Sequence, residues 1–246
     1  EMKTSAGATW DAPTAGNALS GTWASAFGEQ IDIVVSNNDG MGMSMYSNWA
    51  KENKVPVFGY DANSDAVAAL GDTDFPYGGT ISQNPAVQAY LTLRLLRNSL
   101  DGVDVNTGVG KADDAGNVIA EDDFKYSEED RSFYAMNLEV TADNYKDFTD
   151  PANTLYETAQ AQLDEGDSAK KKVWLSIYNS ADNFLGSTYK PLLEKYAPLL
   201  NLDLEVVQGD GQNESSITNK LGNPADFDAF AINMVKTDNG ASYTSI

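Results

Sequence analysis

Carboxylates and amides recur wherever an apolar run of this sequence ends. Asn37-Asn38-Asp39 follows the β-branched run 31–36, Asp61-Ala62-Asn63 follows 55–60, and Gln83-Asn84 closes 79–83. Ser180-Ala181-Asp182-Asn183-Phe184 follows 173–178, and Asp210-Gly211-Gln212-Asn213 follows 202–206. Such groups offer paired acceptors, or a donor beside an acceptor, to adjacent hydroxyls of a polyhydroxylated ligand. Aromatic faces nearby can cover the C–H faces of a sugar ring. The same residue types are also ordinary helix caps and turn formers. Recurrence, rather than any single position, therefore points to binding.

Other chemistry is bounded by what the chain lacks. It has no His and no Cys. That removes Ser-His-Asp and Cys-His catalysis, imidazole and thiolate metal sites, and disulfides. Neither G-x-x-x-x-G-K-S/T nor G-x-G-x-x-G occurs, so phosphate cradling has no support. Asp104-Val105-Asn106-Thr107-Gly108 starts like a calcium loop but lacks the later carboxylates. No metal and no cofactor are expected. Lys plus Arg is 16 and Asp plus Glu is 37, a net charge of −21. That charge repels phosphate, which argues against nucleic acid, and it disfavours anionic membrane surfaces.

The candidate residues need elements to position them, and 246 residues with 41% hydrophobic content supply one or two ordinary domains. No apolar run approaches the roughly 18 residues of a membrane span. The start Glu1-Met2-Lys3-Thr4 lacks a signal-like apolar stretch and reads as a chain processed, or cut from something longer. Ile31–Ser36 reads as a buried strand, 41–53 as a helix and 55–60 as a second strand, together the size of a βαβ unit. Helix-like 64–70 and strand-like 79–83 follow. The spacing of Val87, Leu91 and Leu95 predicts a helix over 85–100, with Asn84 as N-cap, Pro85 in its first turn, and a stop at Asp101-Gly102. Residues 103–130 read as acidic loop with room for a hairpin, 133–140 as a strand, and 151–171 as a linker. A second α/β signal begins at 173–178. A helix over 183–196 carries Pro191 as a kink or true start; strands at 202–206 and 229–235 flank a helix at 215–221. Alternation of this kind predicts an α/β fold with parallel sheets, whose ligands sit beyond the carboxyl ends of the strands. Met41, Met43, Met45, Trp49 and Trp174 read as core. Trp10, in a polar Gly- and Thr-rich stretch, suits an exposed binding role as well as packing.

These residues resemble the bacterial periplasmic galactose/glucose-binding proteins of sugar ABC transport. Ala8-Thr9-Trp10-Asp11-Ala12 is similar to the segment around that family's C-lobe tryptophan. The run from Ile31 through Asn37-Asn38-Asp39 to Met43 resembles its strand ending in Asn-Asn-Asp before a Met-rich helix. Pro56 to Asp61-Ala62 resembles the next strand and its sugar-binding Asp. Ile177 to Asp182-Asn183-Phe184 resembles the family's first strand, and 228–235 a later N-lobe strand. The resemblance implies two Rossmann-like lobes of the type I periplasmic binding protein fold, each incomplete here. It implies that Trp10 and Phe184 sandwich a pyranose from opposite lobes while Asn38, Asp61 and Asp182 bond its hydroxyls. Gln83 stands where the family commonly has Asn. Asp32 matches a carboxylate of the family's calcium site, whose loop is not in this sequence. The order is reversed relative to the family and its middle is absent, which fits a tandem fragment or a circular permutant. The expected segments are a C-lobe-like 1–83, an N-lobe return helix and acidic loop over 84–140, a tail and linker over 141–171, and an N-lobe-like 172–246.

The function so implied is binding, without catalysis, of a glucose- or galactose-class monosaccharide as the substrate-binding component of an ABC transporter. The expected partners are that sugar and a membrane permease. The expected location is periplasmic or extracellular, with a lipoprotein anchor open for the full-length form. A chain missing part of the site should bind sugar more weakly than a complete member. The alternatives are a carbohydrate-active enzyme using two carboxylates, such as Asp61 and Asp182, and the ligand core of a sugar-responsive repressor.

Overall fold

The computed structural model describes residues 11–105, 109, 124–149, 169–179, 182, 184–210, 213–234, 240–241 and 243–244. In chain order the elements are α1 (Ala12–Asn17), α2 (Ala24–Phe27), β1 (Val34–Val35), α3 (Asp39–Met45), β2 (Val57–Phe58), α4 (Ser64–Ala69) and β3 (Thr80–Ser82). They continue with α5 (Pro85–Asp101), β4 (Phe124–Ser127), β5 (Ser132–Ala135), β6 (Leu138–Val140), β7 (Lys171–Ile177), α6 (Lys190–Tyr196), β8 (Leu202–Gln208), α7 (Ser215–Thr218) and β9 (Ala229–Ile232). The chain divides into two compact units. The first holds Glu1–Gln83 with Asn137–Pro151, and the second Asn84–Met136 with Ala152–Ile246.

In the first unit β1 and β2 pair in parallel, Val34 opposite Val57 and Val35 opposite Phe58, and α3 with a following π-helical turn over Tyr46–Ala50 connects them. Parallel pairing requires such a crossover, and Met41, Met45 and Tyr46 bury its inner face against Val34 and Val57. Met43 and Trp49 pack partly against the same cluster. The 31–36 run forms a shorter ladder than its sequence predicts. Only Val34 and Val35 belong to the strand, and Ile33 and Val35 are 53% and 75% exposed, because only one face of this part of the sheet is covered. β3 pairs antiparallel with β6, Thr80 opposite Val140 and Ser82 opposite Leu138, and a single parallel bridge from Phe58 to Gly79 sets β3 beside β2.

The predicted strand 133–140 is two strands serving different units. β5 closes an antiparallel hairpin with β4, around an exposed acidic turn at Glu128-Glu129-Asp130, while β6 joins β3. The stretch 84–140 is therefore divided at Met136/Asn137. Alternating apolar residues continue across the break, so the pattern alone cannot show a change of partner.

The second unit has a three-stranded parallel sheet in the order β8-β7-β9. Central β7 buries Val173 through Ile177, as a strand covered on both faces must. Its neighbour β8 alternates Leu202, Leu204 and Val206 with the exposed Asp203 and Glu205. α5 buries Val87, Leu91 and Leu93 in the same core as α6. Asn84 occupies the N-cap position of α5 in a left-handed conformation (φ 53°) without a side-chain capping bond, a departure from the predicted cap. At the other end Gly102 takes the left-handed φ of 68° that glycine supplies without steric cost. Pro191 sits in the first turn of α6, and a π-helical turn over Leu185–Tyr189 precedes it. Arg97 ties this unit together. Its Nε and Nη2 donate to the two oxygens of Asp101, both at 2.8 Å, and its Nη1 donates to the carbonyls of Ala169 and Asn201 at 2.9 and 3.3 Å. Val34–Val35 and Lys171–Ile177 lie in separate sheets.

Candidate functional site

The carboxyl ends of β1, β2 and β3 lie side by side in the first unit. Ser36 N–H donates to Phe58 O at 2.8 Å, and Asp39 N–H donates to Tyr60 O at 2.7 Å. Asp61 N–H donates to Ile81 O at 2.8 Å. These backbone bonds carry Asn38, Asp61 and Gln83 to one edge. All three side chains are half-buried. Gln83 Nε2 donates to Asp61 Oδ1 across 22 positions of sequence. Asn38 caps α3, its Oδ1 accepting from Met41 N–H at 2.8 Å. One of its two polar atoms thus serves the helix, as the cap alternative anticipates.

The backbone that presents Asp61 is unusual. Asp61 has φ 108° and Ala62 has φ 51°. Both lie where side chains with a Cβ are disfavoured, and such conformations persist only when their surroundings fix them. The fixing group is Asp39, in the first turn of α3 and 0% exposed. Asn63 N–H donates to Asp39 Oδ2 at 3.0 Å, Thr80 Oγ1 donates to the same oxygen at 2.8 Å, and Tyr77 OH donates to Oδ1 at 3.3 Å. Burial pushes the Asp39 carboxyl up to about 7. The Thr80, Asn63 and Tyr77 donors oppose that rise, and the Asp61 charge adds to it. The carboxylate fits because residue 59 is glycine: a Cβ there would stand 2.0 Å from Asp39 Oδ1 and 2.5 Å from Tyr77 OH. The sequence places Asp39 beside Asn38 in one motif, but nothing in it separates the buried residue from its neighbours. The only local signal is a glycine two positions before Asp61.

The second unit uses its strand-end groups differently. Asp182 Oδ1 accepts from Leu185 N–H at 2.9 Å and its carbonyl accepts from Gly186 N–H at 2.9 Å, so it starts the helical turn that follows. Phe184 is 8% exposed, belongs to the core and stacks on Tyr189 with ring centroids 6.1 Å apart. The ring therefore packs inside its own unit rather than standing open as the ring-covering face that the resemblance implies. At the end of β9, Asn233 Oδ1 accepts from Tyr178 N–H at 3.3 Å, an interaction the sequence does not single out. Trp10 lies outside the described residues, as do Asn183 and residues 110–123. The structure brings together Asn38, Asp61 and Gln83 in one unit, and Asp182 and Phe184 in the other. Among the described residues, no group of three or more acidic side chains could hold a metal ion, and no helix is long and apolar enough to cross a membrane.

Comparison with known proteins agrees with this architecture. Two family models, each described as a periplasmic binding protein domain, match residues 1–104 and 170–240. A xylitol-binding protein of Mycolicibacterium smegmatis is 34% identical over 102 residues, 41% of this chain and 28% of that protein. A D-galactose/methyl-galactoside binding periplasmic protein of Haemophilus influenzae is 27% identical over 100 residues, 40% of this chain and 30% of that protein. The matched region spans less than a third of the length of either relative. Segments 1–104 and 170–240 of this α/β chain are thus each similar to a periplasmic binding protein domain.

Proposed function

We propose that this chain binds a monosaccharide of the glucose/galactose class and catalyses no reaction. The observation that carries the reading is the Asp61–Gln83 pair, held on a strained backbone at the carboxyl end of a parallel strand, with Asn38 beside it. A carboxylate bonded to an amide presents fixed acceptors and a donor to vicinal hydroxyls, and charged partners make the stronger hydrogen bonds to them. The two relatives are named for an acyclic polyol and a pyranose, which share those hydroxyls. Trp10, as a ring-covering face, and Asp182, through the oxygen that its helix bond leaves over, are the further candidates, whereas Phe184 is occupied by Tyr189 within its own unit. The working context of the reading is a substrate-binding component that delivers sugar to an ABC permease from the periplasm or the extracellular side, with or without a lipid anchor.

The test is calorimetry and tryptophan fluorescence on the 246-residue chain, titrated with glucose, galactose and xylitol, beside the Asp61→Ala variant. Loss of the charged contact should weaken binding by about tenfold or more. Unchanged affinity in Asp61→Ala overturns the assignment, and turnover of aryl glycosides overturns the non-enzymatic reading.

A further inference from the structure

Asp61 and Ala62 are bracketed on both sides by one residue. On the upstream side, Asp39 N–H holds Tyr60 O at 2.7 Å. On the downstream side, the Asp39 carboxylate takes Asn63 N–H directly at 3.0 Å. It takes Ala62 N–H through a relay, since that N–H donates to Thr80 Oγ1 at 3.2 Å and the Thr80 hydroxyl donates on to Asp39 Oδ2 at 2.8 Å. Two consecutive N–H groups just after Asp61 thus converge on one buried oxygen. We propose that Asp39 is the positioning residue of this site, the group that holds Asp61 in its left-handed conformation and so aims its carboxylate toward ligand. The proposal rests on the sugar-site reading of Asp61, but the brace itself exists without ligand.

Several observations agree. The two positive φ values, 108° and 51°, fall on the two residues inside the bracket. Such strain needs surroundings that over-determine it. Gly59 leaves room for the carboxylate and for no side chain of its own. The brace also joins three elements, because Asp39 belongs to α3, Asn63 precedes α4 and Thr80 begins β3. The titratable groups acting on Asp39 are Asp61 and Tyr77, and Asp65 in α4 acts in turn on Tyr77. With the carboxyl at about 7, its charge, and with it the strength of the brace, changes near neutrality. An Asn at position 39 keeps one carbonyl oxygen for Asn63 N–H and Thr80, and its amide can donate to Tyr77 OH. Asp39→Asn therefore preserves the brace and removes only its titration, whereas Asp39→Ala removes both.

The experiment is amide NMR and hydrogen exchange on the ligand-free 246-residue chain and its Asp39→Asn, Asp39→Ala and Thr80→Val variants, followed by titration with galactose. In the wild type the Asp61, Ala62 and Asn63 amides should titrate together with a midpoint near neutrality, and in Asp39→Asn they should not. In Asp39→Ala those amides should exchange about tenfold faster or more while second-unit amides stay unchanged. Thr80→Val keeps the shape of the side chain in the first unit while removing the hydroxyl relay, and should speed exchange at Ala62 above all, so the proposal remains testable if Asp39→Ala does not fold. Wild-type exchange at Ala62 in Thr80→Val, or at residues 61–63 in a folded Asp39→Ala, overturns the brace. With galactose, Asp39→Ala should lose affinity about tenfold and Asp39→Asn should keep it without pH dependence. If Asp61→Ala binds galactose like the wild type, the sugar-site reading fails alone, because the ligand-free amides still decide the role of Asp39.

Discussion

At the carboxyl end of β2 a polar side chain reaches far along the sequence, whereas the equivalent group after β7 bonds within its own turn. Asp61 bonds Gln83 from 22 residues away, and its loop is anchored by Asp39, 22 residues earlier. Asp182 bonds the N–H three residues on and starts a helical turn. Both are aspartates a few residues beyond a parallel strand, so residue type and position do not separate them. Their partners do. A cap satisfies its local helix and is complete there, while a carboxylate held by distant groups is oriented by the whole unit and can present its remaining acceptors outward. The units also differ in what holds them. The second is fastened by a buried arginine that joins Asp101 to carbonyls of two other segments, and the first by a buried carboxylate that takes the Asn63 N–H and the Thr80 and Tyr77 hydroxyls.

That contrast can be broken from either side, and the second unit should break hardest. Arg97→Ala removes a buried guanidinium that serves Asp101, Ala169 and Asn201, and should cost about 3–5 kcal/mol. The loss should appear in denaturant unfolding followed at fully buried Trp174, with first-unit amides unaffected.

The first unit should instead respond to pH. The Asp39 carboxyl is raised from its ordinary 3.8 to about 7, so between these values the folded chain binds more protons than the unfolded one. Stability from this group therefore falls as pH rises from about 4 to about 7 and then levels, by on the order of 4 kcal/mol. Asp72, held below its ordinary value by its bond to Lys51, acts in the opposite sense and only at lower pH. Chemical denaturation of the wild type and Asp39→Asn at pH 5 and pH 8 checks this, since only the wild type should lose first-unit stability at the higher pH.

Gly59→Ala presses a methyl against the Asp39 carboxylate and Tyr77 hydroxyl and should destabilise the first unit by about 1–3 kcal/mol, read as a lower denaturation midpoint at unchanged slope. The smallest effect belongs to Asn38→Ala, which loses the cap of α3 and should cost about 1 kcal/mol. An Asn38→Asp variant, which can still cap, should recover that stability, so any remaining loss of sugar affinity reports the ligand contact alone.

Much of this was readable in the sequence because it is local. The crossover from β1 to β2, the long helix α5 with its proline start and glycine stop, the hairpin near 124–135 and the apolar β7 each leave a periodic or turn signal within about 20 residues. What escaped is non-local. The split of 133–140 depends on β6 finding β3, more than 50 positions earlier, while the run of apolar residues continues across the break. The burial of Asp39 depends on Asn63, Tyr77 and Thr80, so within Asn37-Asn38-Asp39 the sequence exposes no difference between cap, hub and turn. Phe184 looked available because it follows a polar loop, but Tyr189 takes its face once the next helical turn forms. The Asp61–Gln83 pair joins two separately noted strand ends whose adjacency only the β2–β3 bridge supplies.

Asn38, Asp61 and Gln83 are proposed to take the hydroxyls of one sugar. Amide and side-chain NMR on the isotopically labelled chain, titrated with galactose, tests it most directly because it detects weak as well as tight binding. The expected result is saturable shifts centred on the Asn38 and Gln83 side-chain amides and on the Asp61 backbone, abolished in Asp61→Ala. Saturable shifts that leave these three residues still, or that persist unchanged in Asp61→Ala, would contradict it.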